Sequence, residues 1–224
     1  MHNPWLALPT TAPYVLPTER EAIDRFNRTY PDPQTQIRLN VLPEPYIGNL
    51  DAKVVVLSLN PGFDQSDATW HAQPDFAASI HANLRHAPQT YPFYPLNPAF
   101  SQSGVYQWWR RRLNDLIRDT SLTAVANNLL CIEWFPYHSY HYKALPKSIS
   151  GGLLISQRYA IRLVESAIGR GATIIAMRRY KDWVGHVPDL NNYAKVHHLK
   201  SAQNAYLSSG NIHNYGAVVR VLAS

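Results

Sequence analysis

From Lys53 to Phe63 the chain reads Lys-Val-Val-Val-Leu-Ser-Leu-Asn-Pro-Gly-Phe. Val54, Val55, Val56, Leu57 and Leu59 form a near-continuous apolar run without the polar alternation of a half-exposed strand. Such a run predicts a strand buried on both faces, in the middle of a parallel sheet. Pro61 has no N–H to give to a ladder and Gly62 accepts φ > 0, so the strand must turn at Asn60-Pro61-Gly62. Ala124 to Phe135 predicts a second apolar strand, closed by Pro136. Thr173 to Met177 predicts a third and Ala194 to Lys200 a fourth.

Helical patterning fills the intervals. Thr18-Glu19-Arg20-Glu21 has the form of a capping box, opening a short helix to about Arg28 with Ala22, Ile23 and Phe26 inward. Further helices are predicted from Asp75 to about His86, from Gly104 to Asp119, from Ser150 to Gly169 and from Asn211 to Leu222, with a helical turn over Arg178 to Gly185. Strands alternating with helices predict an α/β fold: a three-layer α/β/α arrangement around a central, mostly parallel sheet of about four strands. Residues 1–17 and 31–50 are punctuated by proline and read as irregular. The predicted organisation is an N-terminal extension over 1–47, packed on an α/β domain over 48–224. Tyr91-Pro92-Phe93-Tyr94-Pro95 sets aromatics between prolines and predicts a loop.

Composition narrows the classes. The 224 residues are 46% hydrophobic and 16% charged, enough for one domain with a real core. No apolar run reaches the ~18 residues of a membrane span, and the N-terminus lacks a basic segment followed by an apolar one. The expectation is a cytoplasmic monomer without a membrane partner. A single cysteine, Cys131, excludes an internal disulfide, a cysteine-rich zinc site and a four-cysteine iron–sulfur cluster. His138 and His141, with His197 and His198, lack a third ligand at recognisable spacing, so neither metal nor cofactor is expected. No phosphate-binding glycine loop or nucleophile elbow is present. The net charge of +6 and the six Trp and fourteen Tyr are compatible with nucleic acid, through phosphate contact and base stacking. Arg110, Arg111 and Arg112 crowd one helical turn, as a solvated face or as a phosphate contact.

In open α/β sheets ligands bind at the carboxyl ends of the strands, which places Asn60 at the edge of a pocket. An apolar strand followed by Asn-Pro-Gly-aromatic resembles the first motif of the uracil-DNA glycosylase superfamily. The likeness is nearest to its mismatch-specific and single-strand-selective branches, with Ser58 where those carry a glycine. The resemblance spans roughly Gly48 to Ile212 and implies the three-layer fold of that superfamily, with DNA, single- or double-stranded, as partner. It implies a DNA N-glycosylase in which Asn60 orients the attacking water. The second motif, after the last strand, is matched by Asn204-Ala205-Tyr206-Leu207-Ser208. There Asn204 would assist the departing base and Leu207, with Ser208, would enter the duplex. Ala205 and Tyr206 depart from the family's Pro and Ser. Pro61, Gly62 and Phe63 would border the base, with Phe63, Phe93 or Tyr94 stacking on it. Glu133 falls at or near the position that reads the base. An ionised carboxylate only accepts hydrogen bonds, so Glu133 suits a base with an exocyclic amine better than uracil. It could equally cap a helix or pair with an arginine. The departures at Ser58, Ala205 and Glu133 keep a second expectation open: a non-catalytic nucleic-acid or nucleotide-binding protein with the same fold.

Overall fold

The computed structural model describes residues 2–224. Five strands form one sheet: β1 (Tyr46–Gly48), β2 (Val54–Leu57), β3 (Leu129–Ile132), β4 (Thr173–Ala176) and β5 (Val196–His198). Their order is β1-β3-β2-β4-β5. The four strands from β3 to β5 run parallel, and β1 is antiparallel on the edge. Every residue of β2, β3 and β4 is buried, so both faces of the central sheet are covered, as a three-layer arrangement requires. The helices are α1 (Arg20–Thr29), α2 (Asp67–His71), α3 (Pro74–Leu84), α4 (Gly104–Arg112), α5 (Asn114–Asp119), α6 (Leu122–Asn128), α7 (Lys147–Ser150), α8 (Ile155–Gly169), α9 (Tyr180–His186) and α10 (Tyr215–Ala223). No helix of the described residues is long and apolar enough to cross a membrane.

The buried apolar run over Val54–Leu57 lies where its sequence places it, between β3 and β4. Other elements differ from expectation. The sheet has five strands because Tyr46-Ile47-Gly48, in the stretch read as irregular, pairs with Leu130 to Ile132. Gly48 is required there. Its φ is +122°, and a Cβ would fall 2.2 Å from the Leu129 carbonyl oxygen. Gly48→Ala is expected to destabilise the fold by at least ~2 kcal/mol, from the backbone conformation alone, measured by urea denaturation.

The predicted strand over Ala124–Phe135 is helix α6 followed by β3, because the Ser121 hydroxyl accepts from the Ala124 N–H and caps the helix. The predicted single helix from Gly104 to Asp119 breaks at Leu113, whose backbone leaves helical geometry while its side chain stays in the core. Gly151 and Gly152, both at positive φ, delay the helix expected from Ser150 until Ile155. The capping box at Thr18 does not form. Glu19 is instead buried, accepting from the Tyr137 hydroxyl at 2.6 Å and from the Ser156 N–H at 2.7 Å. With Trp5, Leu16, Ile23, Phe26 and Leu42 also inside, residues before 48 share the core of the sheet. The boundary drawn at 47/48 cuts through β1.

Candidate active site

From β2 the chain crosses to β3 on one side, then to β4 on the other. This topological switch opens a crevice at the carboxyl ends of β2 and β4. A cleft of about 710 Å³ occupies it. Its walls come from the segment after β2 (Ser58 to Asp64), the residues after β3 (Glu133 and His138 to Tyr142) and those after β4 (Met177, Arg178). Asp67 and His71 of α2 and Trp108 and Arg111 of α4 complete them.

Asn60 sits on the cleft wall, half-buried. Its Nδ2 donates to the Pro61 carbonyl at 2.8 Å and to the Ser139 hydroxyl at 3.2 Å. With the amide nitrogen held, the carbonyl oxygen Oδ1 takes no hydrogen bond from the described residues and is left for a water or a ligand. The turn itself is held from behind. His138 is buried, with Nδ1 2.6 Å from the Gly62 carbonyl and Nε2 3.0 Å from that of Leu42. Nε2 also lies 3.5 Å from Glu44 Oε2, and the Tyr94 hydroxyl donates to the other Glu44 oxygen. Burial drives the His138 imidazole down to about 4, against the pull of the two carbonyls at its ring nitrogens, and raises Glu44 well above the usual carboxylate range. His71 is likewise pushed well down by burial, and its Nδ1 accepts from the Leu42 N–H at 3.0 Å.

Glu133 lies one residue past β3, only 6% exposed, on the same cleft. Its N–H donates to the Pro45 carbonyl at 2.9 Å, which fixes the backbone against the strand entering β1. Oε1 takes a long contact from the Cys131 thiol at 3.6 Å, while Oε2 is buried with no partner. Burial raises its carboxyl to about 7, against the opposing pull of the Ser58 hydroxyl, the Cys131 thiol and the charge of Arg178. Glu133 caps no helix and forms no ion pair, so neither of its structural alternatives is realised.

The walls are aromatic. Phe63 meets Tyr140 edge-on at 5.0 Å, and the Arg38 guanidinium stands 5.2 Å from each ring. On the opposing element the Arg112 guanidinium stacks 3.6 Å from the Trp108 ring centre and lies 5.5 Å from Tyr206, which is 39% exposed. The three arginines therefore separate: Arg111 faces the cleft, Arg112 is committed to Trp108, and Arg110 donates to Asn114 at 3.0 Å.

Asn60, Pro61, Gly62, Phe63, Glu133 and Arg111 thus converge on one cleft. Phe93 and Tyr94 do not reach it; both are core residues, Phe93 edge-on to Trp109 and Tyr94 on Glu44. Leu207 is fully buried, its N–H bound to the Arg112 carbonyl at 2.9 Å, and so has no free side chain to insert into a duplex. Asn204, exposed, and Ser208, half-buried, lie on the loop after β5 and do not line the cleft. Sequence reasoning missed Glu44, Ser139, Tyr140 and Arg178, and weighed His138 only as a metal ligand. The carboxyl-end rule that found Asn60 applies equally to Arg178, two residues past the end of β4. Among the described residues no cluster of three or more His, Cys, Asp or Glu could hold a metal ion. No family model matches the chain, and neither the curated proteins nor the solved structures give a match. The family resemblance therefore rests on the motif residues alone.

Proposed function

We propose that the cleft takes a nucleobase swung out of DNA and that the protein hydrolyses its N-glycosidic bond. The observation that carries this reading is Asn60: its amide nitrogen is tied to Pro61 and Ser139, and its carbonyl oxygen is left free in a cleft walled by aromatic rings. An amide cannot deprotonate water, so Asn60 would hold the nucleophile in position. The reaction then depends on bond loss running ahead of attack: the C1′–N bond breaks, its electron pair leaves with the base, water oxygen bonds to the oxocarbenium-like C1′, and the proton that this water sheds passes, directly or through solvent, to the departed base. Arg178, a cation on the cleft wall, faces the charge that develops on the departing base. The aromatic walls offer a stacking surface for the extruded ring.

The assay is abasic-site formation by the full chain on single- and double-stranded oligonucleotides carrying uracil, hypoxanthine, xanthine or alkylated bases. One observation favours a second reading, a base-binding protein without hydrolysis: Asn204, the second member of the expected pair, lies outside the cleft. Folded wild-type protein that binds these oligonucleotides and opens none of them decides for that reading.

Association with DNA is expected to weaken with salt. If Arg111 neutralises a phosphate, affinity for a single strand falls about two- to threefold between roughly 50 and 200 mM salt. Arg111→Ala reduces the slope of log affinity on log salt by about one unit. A salt-independent affinity removes phosphate contact from the account.

A further inference from the structure

Resting on the reading of the cleft as a base pocket, we infer that Glu133 selects the base, and that the base it accepts carries an amine on the edge facing β3. The geometry supplies the reason. Glu133 is enclosed, its backbone is tied to Pro45, and its Oε1 has the Cys131 thiol beside it. Oε2, buried on the cleft wall, makes no hydrogen bond within the protein; the Ser58 hydroxyl and the Leu59 N–H draw the carboxyl down from nearby but bond neither oxygen. A buried acceptor without a partner is costly, and this one belongs to a residue that lines the cleft. A ligand that brings an N–H there satisfies it. A ligand that brings a carbonyl oxygen sets two acceptors against each other. A polar group left unpaired in this way discriminates far more strongly than a difference in size. Arg178 does not take the role of partner, since Glu133 forms no ion pair. The rings of Phe63, Trp108 and Tyr140 on the same cleft fit a planar heterocycle. The substrate class is therefore a base of the cytosine, adenine or guanine type, damaged or not, in preference to uracil or xanthine.

The probes are 1-methylcytosine, 9-methyladenine and 9-methylguanine against 1-methyluracil and 9-methylxanthine. They are titrated into the full chain at pH 8, where the carboxylate form of Glu133 dominates, and followed by the fluorescence of the tryptophans on the cleft. Wild type is expected to prefer at least one amine-bearing base over both all-carbonyl bases by about tenfold or more. In Glu133→Gln, which keeps the shape and supplies both a donor and an acceptor, this preference collapses to within about twofold. Equal affinity for the two classes in wild type, a preference unchanged in Glu133→Gln, or no binding of any probe overturns the inference. Failure of the hydrolytic reading looks different: Glu133-dependent preference for the amine-bearing probes, with no abasic site formed at any base, leaves the inference standing and removes the glycosylase. Abasic sites formed at uracil alone do the reverse.

Discussion

Asn60→Ala is expected to lower the rate of abasic-site formation by two to three decades while changing oligonucleotide affinity by less than about threefold. The magnitude is that of losing one group positioned for the transition state, on the order of 3 kcal/mol. The split between rate and affinity follows from where the side chain points. Its amide nitrogen is used internally, on Pro61 and Ser139, and only Oδ1 is available, so it has no donor with which to hold a phosphate. Ser139→Ala should act through Asn60, because it removes one of the two acceptors that orient the amide. The rate falls by about tenfold or less, and the loss is not additive with Asn60→Ala. Single-turnover kinetics on a saturated oligonucleotide checks both. Equal rates in wild type and Asn60→Ala would place the chemistry elsewhere in the cleft.

How far this site can be read from the chain depends on the range of the forces that build it. β2 and its turn are local: a run of buried aliphatics cannot be solvated, and Pro61 cannot continue a ladder. Asn60 follows from that alone. β1 is not local. Tyr46-Ile47-Gly48 is a strand because β3 lies beside it and because Asn83 reaches across from α3. The Asn83 side chain accepts from the Gly48 N–H at 3.0 Å and donates to the Tyr46 carbonyl at 2.6 Å. No window of the sequence contains that exchange.

The aromatic loop shows the same limit. The prolines exclude a long helix, and the segment folds as a short helical turn over Tyr94–Leu96. The direction of Phe93 and Tyr94 is set by Trp109 and Glu44, distant in the chain, and both point inward. Leu207 was expected at the surface from motif alignment, yet the loop after β5 folds its apolar residues, Ala205 and Leu207, inward and leaves Tyr206 out. The position of Glu133 was legible as the end of an apolar strand. Its isolation was not, because an unpartnered oxygen is defined by what every surrounding element fails to offer.

That isolation carries the second large effect. Glu133→Gln is expected to stabilise the fold at pH 8 by on the order of 3 kcal/mol and to leave it nearly unchanged near pH 4.5. Burial is the leading cause that raises the Glu133 carboxyl from 4.5 to about 7; the Ser58 hydroxyl, the Cys131 thiol and Arg178 pull the other way without prevailing. Between these two values the unfolded chain has released the proton and the folded chain still holds it. The folded state therefore binds more protons there, and the contribution of Glu133 to stability declines as pH rises from about 4.5 to about 7, then levels. Glutamine carries no charge at any pH and occupies the same volume, so it escapes this decline. Glu19, Glu44 and Asp67 are also raised by burial, but they are present in both proteins and largely cancel in the difference. Urea denaturation of both proteins at pH 4.5, 6 and 8 gives the curve. A difference that does not grow with pH would show that Glu133 ionises as freely in the folded chain as in the unfolded one, and would remove the argument that its carboxylate is isolated. A growing difference would mean that the fold bears a destabilising acid beside the candidate site. Binding and catalytic sites commonly retain groups of this kind at the expense of stability.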